Sequence, residues 1–191
     1  MNSSLIAFFR SLQRRGFAAR LRALGCEVLA VDRSADGFEA DVRHVALDLD
    51  ASDFASQIGV GSYDLVTAIE VIEHVESPTG FFRNVGRLLT PGGIAVITTP
   101  NVDSLPARTK FLITGKIRTI DEFGEPTHIS PIFWDLLQRQ FLPRAGLRLQ
   151  EHLLFPSNGY QLSRKLVAWG SALPRPCSPP TALWEITTFW F

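Results

Sequence analysis

The sequence predicts an α/β fold, in which a parallel β-sheet carries helices on both of its faces. Short apolar runs rich in β-branched residues, typical of buried strands, recur along the first half of the chain. Stretches with apolar residues at helical spacing lie between these runs. The alternation extends from Gly16 to about Asn101, and it indicates a doubly wound sheet because successive parallel strands need a helical crossover.

The first predicted helix places Phe17, Leu21 and Leu24 at helical spacing, and Gly25 follows where a helix would end in a left-handed residue. A strand ending at Asp32 comes next. The predicted strands of this half span residues 26–31, 42–49, 63–69 and 94–99.

The clearest helix begins at Ser77, a favourable N-cap, with Pro78 as its first residue. It ends at Pro91, which is followed by two glycines. Its apolar stripe comprises Phe81, Phe82, Val85, Leu88 and Leu89.

The second half of the chain is less regular. Residues 102–131 form a long connection, which predicts a lid because long connections in compact domains are often functional. Residues 131–141 are expected to be helical, and residues 146–155 and 184–191 to be strands. The aromatic residues available to a lid are Phe111, Phe123 and Phe133, although a place in the core suits them equally well.

Composition narrows the class of protein. A chain of 191 residues, 46% apolar and 20% charged, suits a single globular domain spanning residues 1–191. Nineteen basic residues balance nineteen acidic ones, so bulk charge gives no reason to expect a nucleic acid or an anionic membrane as partner. Cys26 and Cys177 form no C-x-x-C pair, and we expect reduced thiols in a cytoplasmic protein.

Three stretches, in this order, resemble the class I S-adenosylmethionine-dependent methyltransferases, particularly the branch of the ubiquinone-biosynthesis O-methyltransferases. They are LGCEVLAVD at residues 24–32, YDLV running into EVIEHV within residues 63–75, and LLTPGG at residues 88–93. The resemblance implies a Rossmann-like sheet of seven strands, the last one antiparallel. The N-terminal residues of this chain predict that the first strand is short or missing. It implies transfer of a methyl group to an oxygen of a small or lipid-like acceptor.

Ligands of open parallel sheets bind beyond the carboxyl ends of the strands. Asp32 ends a strand there, and its two carboxylate oxygens match the two hydroxyls of a ribose. The alternative is a solvated turn acid. The resemblance implies that Arg33 lies beside the adenine and that Asp48 and Leu49 hold the adenine. Asp50 or Asp53 could take the role of Asp48 instead. The resemblance also implies that Glu70 contacts the cofactor.

Glu70, Glu73 and His74 follow the strand at residues 63–69. A helical turn would place them on one face, where two carboxylates and an imidazole could bind a divalent metal. Relatives carry the same string as a metal site, and His128 could complete it. His74 could instead act as general base without metal, or the string could be an ordinary helix start.

The N-terminus departs from the family pattern, which has an acid and then a G-x-G-x-G loop after the first strand. Here only Gly16 remains as a cofactor-binding glycine. Phe9 stands in place of the acid, and Ser11, Gln13 and Arg15 in place of the glycines. Residues 1–15 are therefore atypical, and a truncated or degenerate protein without activity is the alternative function.

Two further interpretations stay open. A nicotinamide-dependent dehydrogenase would also use Asp32 on a ribose, but the Pro91 turn and an antiparallel last strand argue against it. Arg164, Lys165 and Arg175 lie near Trp169 in the sequence, and contact with a membrane surface rests on these residues alone. The acceptor and the oligomeric state are not assigned by the sequence.

Overall fold

The protein is described from a computed structural model, which covers residues 4–8, 14–33, 42–122, 124–154 and 186–190. Within these residues the strands form a seven-stranded sheet of order β3-β2-β1-β4-β5-β7-β6. The strands are β1 (Ser4–Phe8), β2 (Glu27–Asp32), β3 (Arg43–Ala46), β4 (Tyr63–Ile69), β5 (Leu89–Thr98), β6 (Glu151–Leu154) and β7 (Ile186–Trp190).

Helices connect the strands in the order that the sequence predicts. They are α1 (Arg14–Ala23), α2 (Ala55–Ile58), α3 (Pro78–Leu88), α4 (Leu105–Thr114), α5 (Trp134–Leu136) and α6 (Leu142–Arg144). A 3₁₀ turn (Ile72–His74) follows β4, and a π-helical turn (Leu137–Phe141) joins α5 to α6.

The predicted α/β class is confirmed, because strands pair in parallel and apolar clusters lie on both faces of the sheet. In the central strand β1, Ile6 and Phe8 face the larger cluster, which α3 covers. Leu5 and Ala7 face the smaller cluster, to which Ala18 of α1 belongs. This alternation follows from the two-residue period of a strand, and it explains why β1 is buried on both sides.

The first strand is short, as predicted, with five residues. The prediction of an antiparallel last strand is wrong. Strand β7 pairs in parallel with β5, where Ala95 lies opposite Ile186, and in parallel with β6, where Leu154 lies opposite Trp190. A parallel crossover needs about a dozen residues or more, and the chain between Leu154 and Ile186 exceeds that length, so chain length permits the parallel arrangement.

The best-packed part of the larger cluster is aromatic. The ring centroids of Phe8 and Phe54 lie 5.7 Å apart, as do those of Phe8 and Phe81, both pairs in edge-to-face geometry. All three rings are fully buried. Burial of such a side chain contributes about 1.5–3 kcal/mol. The contact among these rings therefore stabilises the packing of α2 and α3 against β1.

Element boundaries agree with the sequence where local signals are strong. Strand β4 covers the predicted residues, and Ser77 caps α3 by accepting a hydrogen bond from the Gly80 amide at 3.1 Å. The outer strands β3 and β6 are shorter than predicted. Helix α4 lies inside the predicted lid and was not predicted, although Ser104 caps it and Gly115 ends it at a φ of 68°.

None of the helices in the described part of the chain is long and apolar enough to span a bilayer.

Candidate active site

The carboxyl ends of β2, β3, β4 and β5 meet at one edge of the sheet, because these strands run in parallel. Asp32 ends β2 opposite Ala46 of β3, and its side chain is only 4% exposed. Arg33, the next residue, is exposed and its guanidinium lies 3.7 Å from the Asp48 carboxylate. A buried carboxylate beside a solvent-facing guanidinium therefore occupies the position where the sequence predicts ribose and adenine.

The acids after β3 have different local roles. Asp48 accepts a hydrogen bond from the Asp50 amide at 3.1 Å, and Asp50 accepts one from the Glu76 amide at 2.7 Å. Asp53 pairs with Arg87, whose hydrogen bond lowers the pKa of the Asp53 carboxyl. Asp50 and Asp53 thus connect the loop to neighbouring elements, whereas the Asp48 side chain is 60% exposed at the edge. The neighbouring Leu49 packs partly buried against the core.

Glu70 follows β4 in a left-handed conformation, with a φ of 50°. This conformation costs a non-glycine residue about 1–3 kcal/mol and persists only when its surroundings hold it. Here the Thr98 hydroxyl accepts a hydrogen bond from the Glu70 amide at 2.9 Å and donates one to the Glu70 carboxylate at 3.0 Å. Burial raises the pKa of the Glu70 carboxyl.

The expectation that Glu70, Glu73 and His74 share one helical face is wrong. Only residues 72–74 form a turn, and it is a 3₁₀ turn, while Glu70 lies before it with a positive φ. The Glu70 carboxylate instead accepts a hydrogen bond from the Thr98 hydroxyl at the end of β5. Glu73 and His74 lie on the turn and Glu70 precedes it, although the Glu70 charge is close enough to raise the pKa of Glu73.

Glu73, His74 and His128 come together, each offering one ligand atom, all within 4.8 Å of one another. The Nε2 atoms of His74 and His128 each lie 3.9 Å from Oε1 of Glu73. The two imidazole rings meet edge to face at 4.6 Å between centroids. His128, which the resemblance implies as a further metal ligand, therefore lies beside Glu73 and His74.

Backbone carbonyls fix the orientation of both imidazoles. Nδ1 of His74 lies 2.9 Å from the Thr127 carbonyl, and Nδ1 of His128 lies 3.0 Å from the Thr119 carbonyl. A carbonyl oxygen only accepts, so each Nδ1 carries the proton and donates it. In the neutral rings the lone pair then lies on Nε2, the nitrogen that faces Glu73.

Glu73 is 2% exposed, and both of its carboxyl oxygens are buried. Burial, together with the nearby Glu70 charge, raises the pKa of Glu73 from 4.5 to about 8. The carboxyl group is therefore mostly protonated at neutral pH unless a cation or a hydrogen-bond donor joins it.

The lid-like connection is bound directly to this cluster. The amides of Ile129 and Ser130 both donate to the Glu73 carbonyl, each at 2.9 Å. The Ser130 hydroxyl donates to the Val75 carbonyl at 2.6 Å. The segment that carries His128 is therefore held on the turn after β4.

A family model described as a methyltransferase domain matches residues 14–162. The chain belongs to this methyltransferase family. The match begins where α1 begins, and it includes the end of β2, the turn after β4 and the connection that carries His128.

Ubiquinone biosynthesis O-methyltransferases are similar in sequence to this methyltransferase-family chain. The protein from Caulobacter vibrioides is 39% identical over 85 residues, which cover 41% of this chain and 34% of the relative. The protein from Xanthomonas axonopodis pv. citri is 32% identical over 141 residues, which cover 67% of this chain and 56% of the relative. The chain thus matches about a third to just over half of the length of these curated relatives.

A solved S-adenosylmethionine-dependent methyltransferase from Archaeoglobus fulgidus has a similar fold, with a TM-score of 0.58 and 20% identity. The alignment covers 77% of this chain and 62% of that one. The family match, rather than the direction of β7, excludes the dehydrogenase interpretation. It also leaves the degenerate alternative without support from the comparisons.

Other residues of this methyltransferase domain that the sequence marks as candidates lie away from the Glu73 cluster or outside the described residues. Gly16 belongs to the first turn of α1, which follows β1 at the carboxyl edge, and Arg15 precedes it there. Of the lid aromatics, Phe111 is 54% exposed on α4 and Phe133 is half-buried. The residues outside the described ranges are Phe9, Ser11, Gln13, Phe123, Arg164, Lys165, Trp169, Arg175 and Cys177.

Sequence reasoning missed Thr98, Thr127 and Ser130. Thr98 holds Glu70, the Thr127 carbonyl orients His74, and Ser130 anchors the connection. Thr98 had a usable signal, because it is a polar residue at the carboxyl end of an apolar strand. The other two act across more than fifty residues of sequence, and nothing local indicates such contacts.

Proposed function

We propose that the chain is an S-adenosylmethionine-dependent methyltransferase that acts on an oxygen of a small or lipid-like acceptor. The observation that carries the proposal is the buried Asp32 carboxylate at the end of β2, within a methyltransferase-family domain. The O-methyltransferase names of the relatives support oxygen as the methylated atom. Bound at this edge, the cofactor would supply an activated methyl group.

The residues at the edge fit the polar end of such a cofactor. Asp32 offers two carboxylate oxygens to the ribose hydroxyls, and its burial strengthens those hydrogen bonds because water does not compete for them. Arg33, Asp48 and Leu49 would border the adenine. Glu70, held by Thr98, would face the cofactor from the end of β4, and Gly16 would lie near its methionine end.

The acceptor would bind on the side of His74 and His128. His74 is nearly buried, and in the absence of a metal its Nε2 lone pair can take the proton of an acceptor hydroxyl. The connection over residues 119–130 would exclude water from that side, since its backbone is bound to Glu73. Positioning and water exclusion suffice for methyl transfer because the sulfonium is already activated.

Cofactor binding can be tested through Asp32. S-adenosylhomocysteine should raise the Tm of the wild-type chain, because a ligand that binds only the folded state stabilises it. The Asp32→Asn variant should show a much smaller rise. Asp64→Asn is the matched control, since Asp64 is an exposed acid that binds Ser4 at the opposite edge. An equal rise in Tm for wild type and Asp32→Asn would contradict the role of Asp32.

A divalent metal is a second component of the proposal, supported by the arrangement of Glu73, His74 and His128. Two Nε2 lone pairs face a buried carboxyl group, and both imidazoles donate their other N–H to carbonyls, as metal-bound histidines do. Two imidazoles and one carboxylate suit Zn²⁺, Mn²⁺ or Fe²⁺. A metal there would lower the pKa of a bound acceptor hydroxyl.

The metal component has its own test. Elemental analysis of the chain after dialysis against Mn²⁺ or Zn²⁺ should find about one ion per chain. His128→Ala should lose it, while His44→Ala, on the outer strand β3, should keep it. Equal metal content in the wild type and His128→Ala would remove the metal from the proposal, and His74 would then stand alone as the candidate general base.

A further inference from the structure

Thr119 has an unusual backbone conformation, with a φ of 75°. Within the described residues, Glu70 is the other non-glycine residue with a positive φ, and both lie at the candidate active site. The left-handed region is especially unfavourable for threonine, because its branched Cβ crowds the backbone. Such a conformation persists only when its surroundings hold it, and it is concentrated at functional sites.

The Thr119 carbonyl is the group that this conformation directs. It accepts a hydrogen bond from Nδ1 of His128 at 3.0 Å, although the two residues are nine positions apart in the sequence. The His128 side chain is 13% exposed, and its Nε2 lies 3.9 Å from Oε1 of Glu73. Because a carbonyl oxygen only accepts, the bond holds the proton on Nδ1 and leaves the Nε2 lone pair facing Glu73.

Gly124 leaves the space that the Thr119 peptide occupies. A Cβ at position 124 would overlap the carbonyl group of Thr119 and would lie 2.9 Å from its Cα, closer than real Cβ contacts come. The Gly124 amide donates to the Asp121 carbonyl at 2.8 Å. The Asp121 side chain is 3% exposed and pairs with Lys110 of α4, so the loop is anchored on a helix. A side chain at position 124 must therefore displace the Thr119 peptide or open this loop.

The same loop orients the second imidazole. The Thr127 carbonyl accepts a hydrogen bond from Nδ1 of His74 at 2.9 Å. Thr127 directly precedes His128, so a displacement of His128 also moves the partner of His74. Both imidazoles thus depend on one loop, and that loop depends on the fit between Thr119 and Gly124.

We propose that Thr119 and Gly124 are positioning residues of the candidate active site. The left-handed Thr119 aims its carbonyl at Nδ1 of His128, Gly124 makes room for that carbonyl, and Nε2 of His128 is thereby held toward Glu73. The tautomer of His128 does not depend on the proposed function. Its consequence, that this loop sets the affinity for a divalent metal, rests on the metal component of that function.

Nitrogen NMR of the full chain measures the tautomer directly, with a chelator present and at about pH 8.5, where an imidazole of ordinary pKa is neutral. Wild type should carry the His128 proton on Nδ1, and comparison with His128→Gln assigns the signal. Gly124→Ala should show a mixture of both tautomers, because the displaced carbonyl no longer holds the proton.

Gly115→Ala is the matched control. Gly115 lies in the same connection with a φ of 68°, and a Cβ there would meet nothing within 4 Å. The substitution should lower the Tm by straining the end of α4, yet it should keep the proton on Nδ1. An unchanged tautomer in Gly124→Ala would overturn the inference, and so would the same mixture of tautomers in Gly115→Ala.

Two substitutions of Thr119 keep the test decisive if Gly124→Ala does not fold. Asparagine accepts the left-handed region, so Thr119→Asn should retain the proton on Nδ1. Proline fixes φ at about −65°, so Thr119→Pro should not retain it. Identical His128 tautomers in these two variants would also overturn the inference.

Metal affinity separates the positioning from the proposed function. Gly124→Ala and Thr119→Pro should each bind Mn²⁺ at least about tenfold more weakly than wild type, whereas Thr119→Asn and Gly115→Ala should bind it as wild type does. Equal affinity in wild type and Gly124→Ala would overturn the inference. If wild type binds no Mn²⁺ but the tautomers change as expected, the positioning stands and the metal component of the proposed function is contradicted.

Discussion

The buried Glu73 carboxyl makes stability depend on pH in a way that a single substitution should remove. Glutamine in its place keeps the size and shape of the side chain but cannot ionise. With a chelator present to exclude metal, Glu73→Gln should be increasingly more stable than wild type as the pH rises. The reason is that wild type must bury a negative charge at high pH and the variant never does.

The pKa of Glu73 gives the direction and the scale of this effect. The folded state raises that pKa from 4.5 to about 8, chiefly through burial and secondly through the Glu70 charge. Between these values the folded state holds a proton that the unfolded state has released. The free energy of unfolding of wild type therefore falls as the pH rises from about 4.5 through about 8. At about 1.4 kcal/mol per pH unit, the upper limit of the loss is about 5 kcal/mol.

Urea unfolding of wild type and Glu73→Gln at pH 5.5, 7 and 8.5 measures the difference directly. The variant's advantage should grow by about 1–4 kcal/mol over this range. Glu76→Gln, which changes an exposed carboxylate three residues further on, should keep a constant difference from wild type. If the difference between Glu73→Gln and wild type does not change with pH, the Glu73 carboxyl does not titrate in this window and the account of its burial is wrong.

Further predictions concern packing and capping on α3, each measured as a free energy of unfolding in urea. Ser77→Ala should cost about 1 kcal/mol because it removes the N-cap bond to the helix amide, and no loss would show that the cap contributes nothing. Gly86→Ala should cost about 1–3 kcal/mol, because the added Cβ would lie 2.4 Å from the Ala145 carbonyl oxygen. As a control, Arg83→Ala, which changes an exposed side chain, should stay within about 0.5 kcal/mol of wild type. Phe81→Ala should cost about 3–5 kcal/mol by opening a cavity in the aromatic cluster; a cost below 1 kcal/mol would mean that the ring is not packed as described.

Features that are determined by short stretches of sequence were predicted correctly. Strand β4 and the cap of α3 depend on residues that are adjacent in the chain, and both are confirmed. The edge position of Asp32 followed from the rule that parallel strands end on one side. The local conformation after β4 was not predicted, because the bonds to Thr98 that stabilise the positive φ of Glu70 come from another strand.

Features that depend on distant contacts were not predictable. Helix α4 lacks an apolar stripe facing the core, which is the pattern that identifies most surface helices. The contact between Glu73 and His128 joins two loops whose approach only the folded sheet determines.

We expect this methyltransferase-family domain to bind S-adenosylmethionine at the carboxyl edge of its sheet, although residues 1–16 contain no G-x-G-x-G loop. Isothermal titration of the wild-type chain with S-adenosylmethionine measures this binding. Saturable heat with about one site per chain, lost in Asp32→Asn, is the predicted result. No detectable heat at millimolar cofactor would contradict the claim and leave a methyltransferase fold without methyltransferase activity.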